Sequence, residues 1–176
     1  MVKDGALKRA QAAVRKTAAD LLAEKAVELV IGYGRSPFGH VVPLFVRRIE
    51  EAGTLEWNQH CAYNLVRYLT DPEVVGRPAR ADIAAGAGEA ESAAGKVAVL
   101  VKGCDLKSLV VLESENQVRR ERLVLIGLAC PGVADETGRL LSKCETCPPG
   151  VYNPREDLCD VLVDLPGGRP GEGAEA

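Results

Sequence analysis

Aromatic residues, methionine and long apolar runs are scarce in this sequence. It contains two Phe, one Trp, four Tyr and one Met, so smaller side chains such as Ala, Val and Leu must fill most of the core. No apolar run reaches the roughly 18 residues that a membrane-spanning helix needs. The first residues lead into a polar amphipathic stretch and not into the apolar centre of an export signal. We therefore expect a cytoplasmic protein without a membrane span.

An excess of positive charge is also missing. The formal net charge is -3, from 22 Lys and Arg against 25 Asp and Glu that are mixed along the chain. A nucleic-acid-binding domain presents a basic face, so nucleic acid is not an expected partner. The sequence also has no Walker loop, and no Ser, His and Asp in an arrangement for nucleophilic catalysis. We therefore name no catalytic residue.

Hydrophobic periodicity predicts an α/β fold. We expect helices over residues 5–25, 56–69 and 105–117, and strands over 27–34, 41–46, 96–103, 122–129 and 159–164. The strand, helix and strand between 96 and 129 have the spacing of a right-handed parallel unit, with its connection across one face of the sheet. The predicted architecture is a small, mostly parallel or mixed sheet with flanking helices. We expect one domain over residues 1–165, with a flexible loop near 71–95 and a disordered tail over 166–176.

Six cysteines are many for a cytoplasmic chain of this length. In a reducing compartment, metal binding or redox chemistry is a better use for them than disulfides. Cys104 and Cys130 each follow a predicted strand, and the carboxyl ends of parallel strands meet at one edge of a sheet. Cys144 and Cys147 form a CxxC motif shortly afterwards, close enough to fold back over that edge. Four thiolates at one point suit an iron–sulfur cluster or a zinc ion.

The remaining candidate residues have weaker patterns. Cys61 lies near the start of a predicted helix and is either a core residue or a reserve ligand, whereas Cys159 fits a small apolar core position. Gly103 would let the backbone approach a bulky inorganic core. Gly32 and Gly34 form a GxG after a strand, a weak pattern that could contact a flavin or a phosphate.

The segments around these cysteines resemble a protein family. The motifs are VKGCDLKS at 101–108, ENQ at 115–117, IGLACPGV at 126–133 and KCETC at 143–147, with a weaker likeness in VIGYG at 30–34 and in the block 57–69. They resemble the iron–sulfur beta-subunit family of deazaflavin (coenzyme F420)-reducing hydrogenases and formate dehydrogenases, in the versions found beside heterodisulfide-reductase-like proteins of anaerobes. The resemblance spans the chain from about residue 20 to about residue 165, apart from the loops.

The resemblance implies a 4Fe-4S cluster, often accompanied by FAD, and electron transfer inside a multisubunit anaerobic oxidoreductase. Cys104, Cys130, Cys144 and Cys147 match the family's cysteine motifs, and Cys61 matches a further recurrent cysteine. The implied partners are other subunits of a redox complex, of a flavoprotein, ferredoxin-like or heterodisulfide-reductase-like kind.

Two departures from the family narrow this expectation. The chain lacks the ferredoxin-type CxxCxxCxxxCP runs of many members, which predicts a single cluster. It is also short for enclosing both a flavin and a deazaflavin substrate. We therefore expect a non-catalytic subunit that relays electrons through one 4Fe-4S cluster. The alternatives are a zinc-stabilised scaffold or assembly module, and a flavin-dependent subunit that reduces the deazaflavin with the loop 32–39 as its flavin contact.

Overall fold

The structure is a computed structural model that describes residues 4–75, 95–147 and 156–165. Its strands are β1 (Val27–Arg35), β2 (Val41–Val46), β3 (Lys96–Lys102), β4 (Leu123–Leu128) and β5 (Val161–Val163), and its α-helices are α1 (Asp4–Ala23), α2 (Pro72–Val75), α3 (Gly103–Ser114) and α4 (Ser142–Glu145). The five strands form one sheet in the order β2-β1-β3-β4-β5. β1 and β2 are an antiparallel hairpin, whereas β1, β3, β4 and β5 run parallel. The predicted α/β fold with a mixed sheet and flanking helices is confirmed.

The central strands are buried along most of their length. Positions 29–34 of β1 and positions 97–102 of β3 are buried without interruption. Successive side chains of a strand point to opposite faces, so both faces of the sheet are covered here. Continuous Val, Leu and Ile runs are typical of parallel strands in such sheets. β2 lies at the edge of the sheet, which explains how it accommodates Pro43, a residue without an amide donor.

Helix α1 packs through a stripe of mostly small side chains. The buried residues recur at four-residue steps and are Ala6, Ala10, Val14, Ala18 and Leu22. Residues at this spacing lie on one face of a helix, and α1 accordingly contacts β1, β5 and the 3-10 helix Ile49–Thr54. Arg15 Nε donates a hydrogen bond to the Leu55 carbonyl at 2.7 Å and so ties α1 to the segment after that 3-10 helix. The predicted first helix is confirmed and ends at Ala23.

Helix α3 begins directly after β3 and packs against β3 and the 3-10 helix Leu65–Thr70. It begins at Gly103 and not at residue 105, because the Asp105 carboxylate accepts a hydrogen bond from the Lys102 amide at 3.0 Å and caps the first turn. It ends at Ser114 and not at residue 117. Asn116 has a φ of 54°, the left-handed conformation that ends many helices.

The predicted helix over residues 56–69 is wrong. Only Leu65–Thr70 is helical, as a 3-10 helix, and residues 56–64 are irregular. The Asn58 side chain accepts a hydrogen bond from the His60 amide at 2.9 Å, and the Asn64 side chain accepts one from the Val66 amide at 3.1 Å. Local bonds of this kind compete with a helical backbone. Asn58 therefore forms a turn, and Asn64 is the residue that caps the short helix.

Parts of the prediction fall outside the described residues. The loop expected near 71–95 is described only at 71–75, which contains the single turn α2, and at 95. The tail over 166–176 lies outside, and the extent of the domain over 1–165 stays a prediction. Within the described ranges, no helix is both long and apolar enough to cross a membrane.

Candidate functional site

Two cysteines lie at the carboxyl edge of the sheet, where β3 and β4 end side by side. β3 and β4 are parallel neighbours, and the last residue of β3, Lys102, pairs with Leu128 at the end of β4. Cys104 is in the first turn of α3, and Cys130 is two residues beyond β4. The Cys104 residue is exposed, whereas Cys130 is buried. The parallel register therefore delivers both thiols to the same edge.

A third cysteine returns to this edge through the segment after β4. Residues 131–147 fold back on themselves, with Ala134 bridged to Leu140 and the Leu141 amide donating to the Val133 carbonyl at 2.9 Å. This places the buried Cys144, in the single turn α4, against the strand exit. The Val133 amide lies 3.3 Å from Cys144 Sγ and donates to it.

Cys147 is less enclosed than the other candidate ligands in this segment. It is half-buried and packs against the hydrophobic core. Its amide donates to the Cys144 carbonyl at 3.4 Å, so the CxxC motif forms a tight turn. Cys147 lies just after α4 and is the last described residue before residue 156.

Backbone amides and burial act in opposite directions on the Cys130 thiol. Burial raises its pKa to about 11, while a hydrogen bond from the Gly132 backbone lowers it in part. Gly132 has a φ of 89°, a conformation that L side chains rarely adopt. Charges on Cys104 and Cys144 raise the pKa of Cys130 further.

Cys61 is a fourth neighbour of these sulfurs. It is fully buried, and burial raises the pKa of its thiol to about 12. The Asn58 amide donates to Cys61 Sγ at 3.4 Å and opposes this effect. Cys130 contributes to raising the pKa of Cys61 as well, so the two thiols lie near each other. The structure thus brings the reserve ligand close to the predicted set.

Cys159 lies apart from the others. It lies two residues before β5, and β5 runs parallel to β4, so Cys159 lies at the amino edge of the sheet, opposite the other cysteines. Burial is the main cause that raises the pKa of its thiol. Asp160 and Asp157 raise this pKa further, and Arg120 lowers it. Its half-buried position against the core agrees with a packing function.

A buried ion pair lies beside the cysteines, and the sequence analysis missed it. The Lys102 and Asp105 side chains are 2% and 4% exposed, with Nζ 2.9 Å from Oδ2. Lys102 Nζ also donates to Tyr33 Oη and, at 2.8 Å, to the Tyr63 carbonyl. Burial raises the pKa of Tyr33 far above its ordinary value, so its phenol stays neutral. The available signal was a lysine that follows the apolar run 97–101 and immediately precedes Gly103.

The predicted glycines have packing reasons of their own. A Cβ on Gly32 would lie 2.4 Å from Leu55 Cδ2 and 2.6 Å from Leu100 Cδ1, and one on Gly34 would lie 2.8 Å from Leu44 Cδ2. Both glycines lie inside β1 and not in a loop. The neighbouring leucines account for both glycines without a cofactor. Gly103, by contrast, opens α3 next to Cys104, half-buried at the cysteine edge.

The described residues do not form a closed single-ion site. Within residues 4–75, 95–147 and 156–165, no group of three or more His, Cys, Asp or Glu side chains is arranged to hold a metal ion. The two histidines are engaged elsewhere: His60 Nδ1 is 3.3 Å from the Ala134 carbonyl, and His40 Nδ1 is 3.5 Å from Glu136 Oε1. The candidate site is therefore a set of neighbouring thiols with amide donors and a buried ion pair.

Together, the fold and this edge define an α/β protein with cysteines gathered at the carboxyl ends of parallel strands. Among solved structures, the protein is similar to one chain of the F420-reducing NiFe hydrogenase complex from Methanosarcina barkeri, solved as a xenon derivative. The TM-score is 0.50 and the sequence identity is 15%. The similarity covers 77% of this chain and 43% of that chain, so this chain spans less than half the length of the chain it matches. At this identity the similarity shows the fold alone. The sequence matches no protein-family model and no curated protein.

Proposed function

We propose that this chain is an iron–sulfur electron-transfer subunit of a multisubunit oxidoreductase. One 4Fe-4S cluster would be held by Cys104, Cys130, Cys144 and Cys147, with Cys61 as the reserve ligand. The observation that carries the proposal is the convergence of Cys104, Cys130 and Cys144 from three chain segments on one edge of the sheet. When bound, such a cluster accepts and donates single electrons.

The surroundings of the sulfurs suit thiolate ligands. The Gly132 backbone donates to Cys130, and the Val133 amide donates to Cys144. Hydrogen bonds to sulfur favour the charged thiolate and are one means by which a protein sets a reduction potential. Burial raises the pKa of the Cys130 thiol, so metal binding must displace a proton from that sulfur.

Burial differs across the site and suggests where electrons would pass. Cys130 and Cys144 are buried, whereas Cys104 is exposed at the start of α3. The site thus has a dry side toward the core and an open side at Cys104. A partner docked over the open side would come closest to the bound centre, so we assign electron exchange with other subunits to the Cys104 side.

The proposed partners are other subunits of a redox complex, of a flavoprotein, ferredoxin-like or heterodisulfide-reductase-like kind. The similarity in fold to a chain of a hydrogenase complex supports this context. We extend only membership of a redox complex to this chain, and not the reduction of a deazaflavin coenzyme. The packing of Gly32 and Gly34 against leucines gives the flavin alternative no support at those residues.

The zinc alternative uses the same thiols and is separated from the cluster by metal analysis. Four thiolates satisfy one tetrahedral zinc ion at about 2.3 Å each, and the protein would then be a scaffold or assembly module without redox activity. Such a protein would be colourless and would unfold when the zinc is removed. No described contact distinguishes zinc from iron at these sulfurs.

Serine substitutions test the ligand assignment. We expect Cys144→Ser and Cys147→Ser to lose the iron and sulfide that the wild-type protein retains after anaerobic reconstitution, because each removes one thiolate. Cys159→Ser is the matched control and keeps them, since Cys159 lies at the opposite edge. If Cys61→Ser also retains iron and sulfide, Cys61 is not one of the four ligands. Loss of iron from Cys159→Ser together with retention in Cys144→Ser would contradict the assignment.

A further inference from the structure

We infer that the exposed face of helix α3 is a self-association surface, through which two copies of this chain pair antiparallel about a two-fold axis at Val111. An apolar patch on this face and two charges placed symmetrically around it support the pairing. The pairing goes beyond the proposed function and does not depend on what the cysteines bind.

Helix α3 has apolar residues on its outer side as well as on its inner side. Leu106 and Leu109 are buried, whereas Val110 and Val111 are 55% and 51% exposed. A helix that is apolar all round is normally covered on all sides. Valine is also a weaker helix former than Ala, Lys or Glu, so helix propensity does not explain two adjacent valines at exposed positions. Contact with another protein surface does explain them.

Two opposite charges flank this patch at equal spacing. Lys107 lies four residues before Val111 and Glu115 lies four residues after it, and both are exposed. Only residues three or four apart face each other on one helix, so these two charges are not neighbours within a single copy. The ion pairs within residues 4–75, 95–147 and 156–165 include neither of them. Both charges are therefore open to a second chain.

A two-fold axis through Val111 places these charges opposite each other. The Glu115 amide donates to the Val111 carbonyl at 3.0 Å, so helical spacing continues to Glu115 although α3 ends at Ser114. Positions four before and four after Val111 are then related by the axis, and antiparallel pairing brings Lys107 of each copy to Glu115 of the other.

This symmetry favours a second copy over an unrelated partner. A two-fold contact uses the same patch on both subunits and must be complementary to itself. An apolar centre with a positive charge on one side and a negative charge at the same distance on the other meets that requirement. A different partner would not need the two charges to be equally spaced about Val111.

Sedimentation equilibrium of the full chain tests the pairing, in a reducing buffer so that the exposed Cys104 forms no disulfide. A contact centred on one helix is small, so we expect a reversible dimer with a dissociation constant on the order of 100 µM. Val111→Glu should remain a monomer at all accessible concentrations, because it places two carboxylates together at the centre of the contact.

Charge reversals test the register of the two helices. Lys107→Glu and Glu115→Lys each oppose like charges twice per dimer, and we expect each to weaken the dimer about tenfold. Lys107→Glu/Glu115→Lys restores opposite charges and should recover an affinity within about threefold of the wild type. Lys8→Glu is the matched control, since it makes the same change on the exposed side of α1 and should leave the affinity unchanged. Thermal unfolding of each variant confirms that folded proteins are compared.

Three results would overturn the inference. A wild-type protein that is monomeric at all concentrations would leave this face to a different subunit. A dimer that persists in Val111→Glu would pair through another surface. Loss of the dimer in Val111→Glu, without recovery in the double charge reversal, would contradict the two-fold axis at Val111. None of these results depends on the iron, sulfide or zinc content, so the proposed function stands or fails separately.

Discussion

The metal-free protein should lose stability at alkaline pH because of the buried thiol of Cys61. The pKa of this thiol is about 12 in the folded protein, against an ordinary value of 9.0, and burial is the main cause. A folded-state pKa above the unfolded value means that the stabilising contribution is complete below pH 9 and is lost as pH rises toward the folded pKa. Linkage gives a fall in the free energy of unfolding of about 2–3 kcal/mol between pH 8 and pH 11 from this group.

The assay is chemical denaturation of the reduced, metal-free protein at several pH values between 8 and 11. Lysines and tyrosines also titrate in this range, so the contribution of Cys61 is the difference in slope between the wild type and Cys61→Ala. Cys159→Ala serves as the control and should keep the Cys61 contribution. If the stability of Cys61→Ala falls with pH as steeply as that of the wild type, Cys61 does not lie in a dry pocket and the reasoning is refuted.

Two further predictions concern glycines. Gly32→Ala should destabilise the protein by about 1–3 kcal/mol in chemical denaturation, because the added Cβ would overlap two fully buried leucines. Gly53→Ala is the control and should be near neutral, because its added Cβ meets nothing within 4 Å. Equal stabilities for these two variants would contradict the packing explanation. Gly132→Ala and Gly138→Ala should each cost about 1–2 kcal/mol, because φ is 89° and 83° at these positions. Only Gly132→Ala should also weaken cobalt(II) binding in a spectroscopic titration, since the Gly132 backbone donates a hydrogen bond to Cys130. Equal weakening in both variants would contradict a contribution of the Gly132 amide to metal binding.

The position of two cysteines could be predicted from the sequence because it depends on few rules. An apolar run, a helix and a second apolar run imply neighbouring parallel strands, and Cys104 and Cys130 follow those runs directly. The carboxyl ends of such strands share an edge whatever the details of packing. Pro43 is compatible with the edge position of β2, since an edge strand tolerates the loss of one amide donor.

The remaining features depend on contacts between distant segments. The buried state of Lys102 requires Tyr33, Tyr63 and Asp105 to meet around its ammonium group, and the position of Lys102 after an apolar run does not identify these partners. The irregular conformation of residues 56–64 arises from side-chain hydrogen bonds such as that of Asn58, which outweigh the helical periodicity of the segment.

The most direct test of the central claim is an anaerobic visible spectrum of freshly purified protein, combined with iron, sulfide, zinc and flavin analysis. The proposal predicts a broad brown absorbance with about four irons and four sulfides per chain, as a four-thiolate cubane requires. A colourless protein with about one zinc ion per chain would contradict it and establish the scaffold alternative, because one tetrahedral ion satisfies four thiolates.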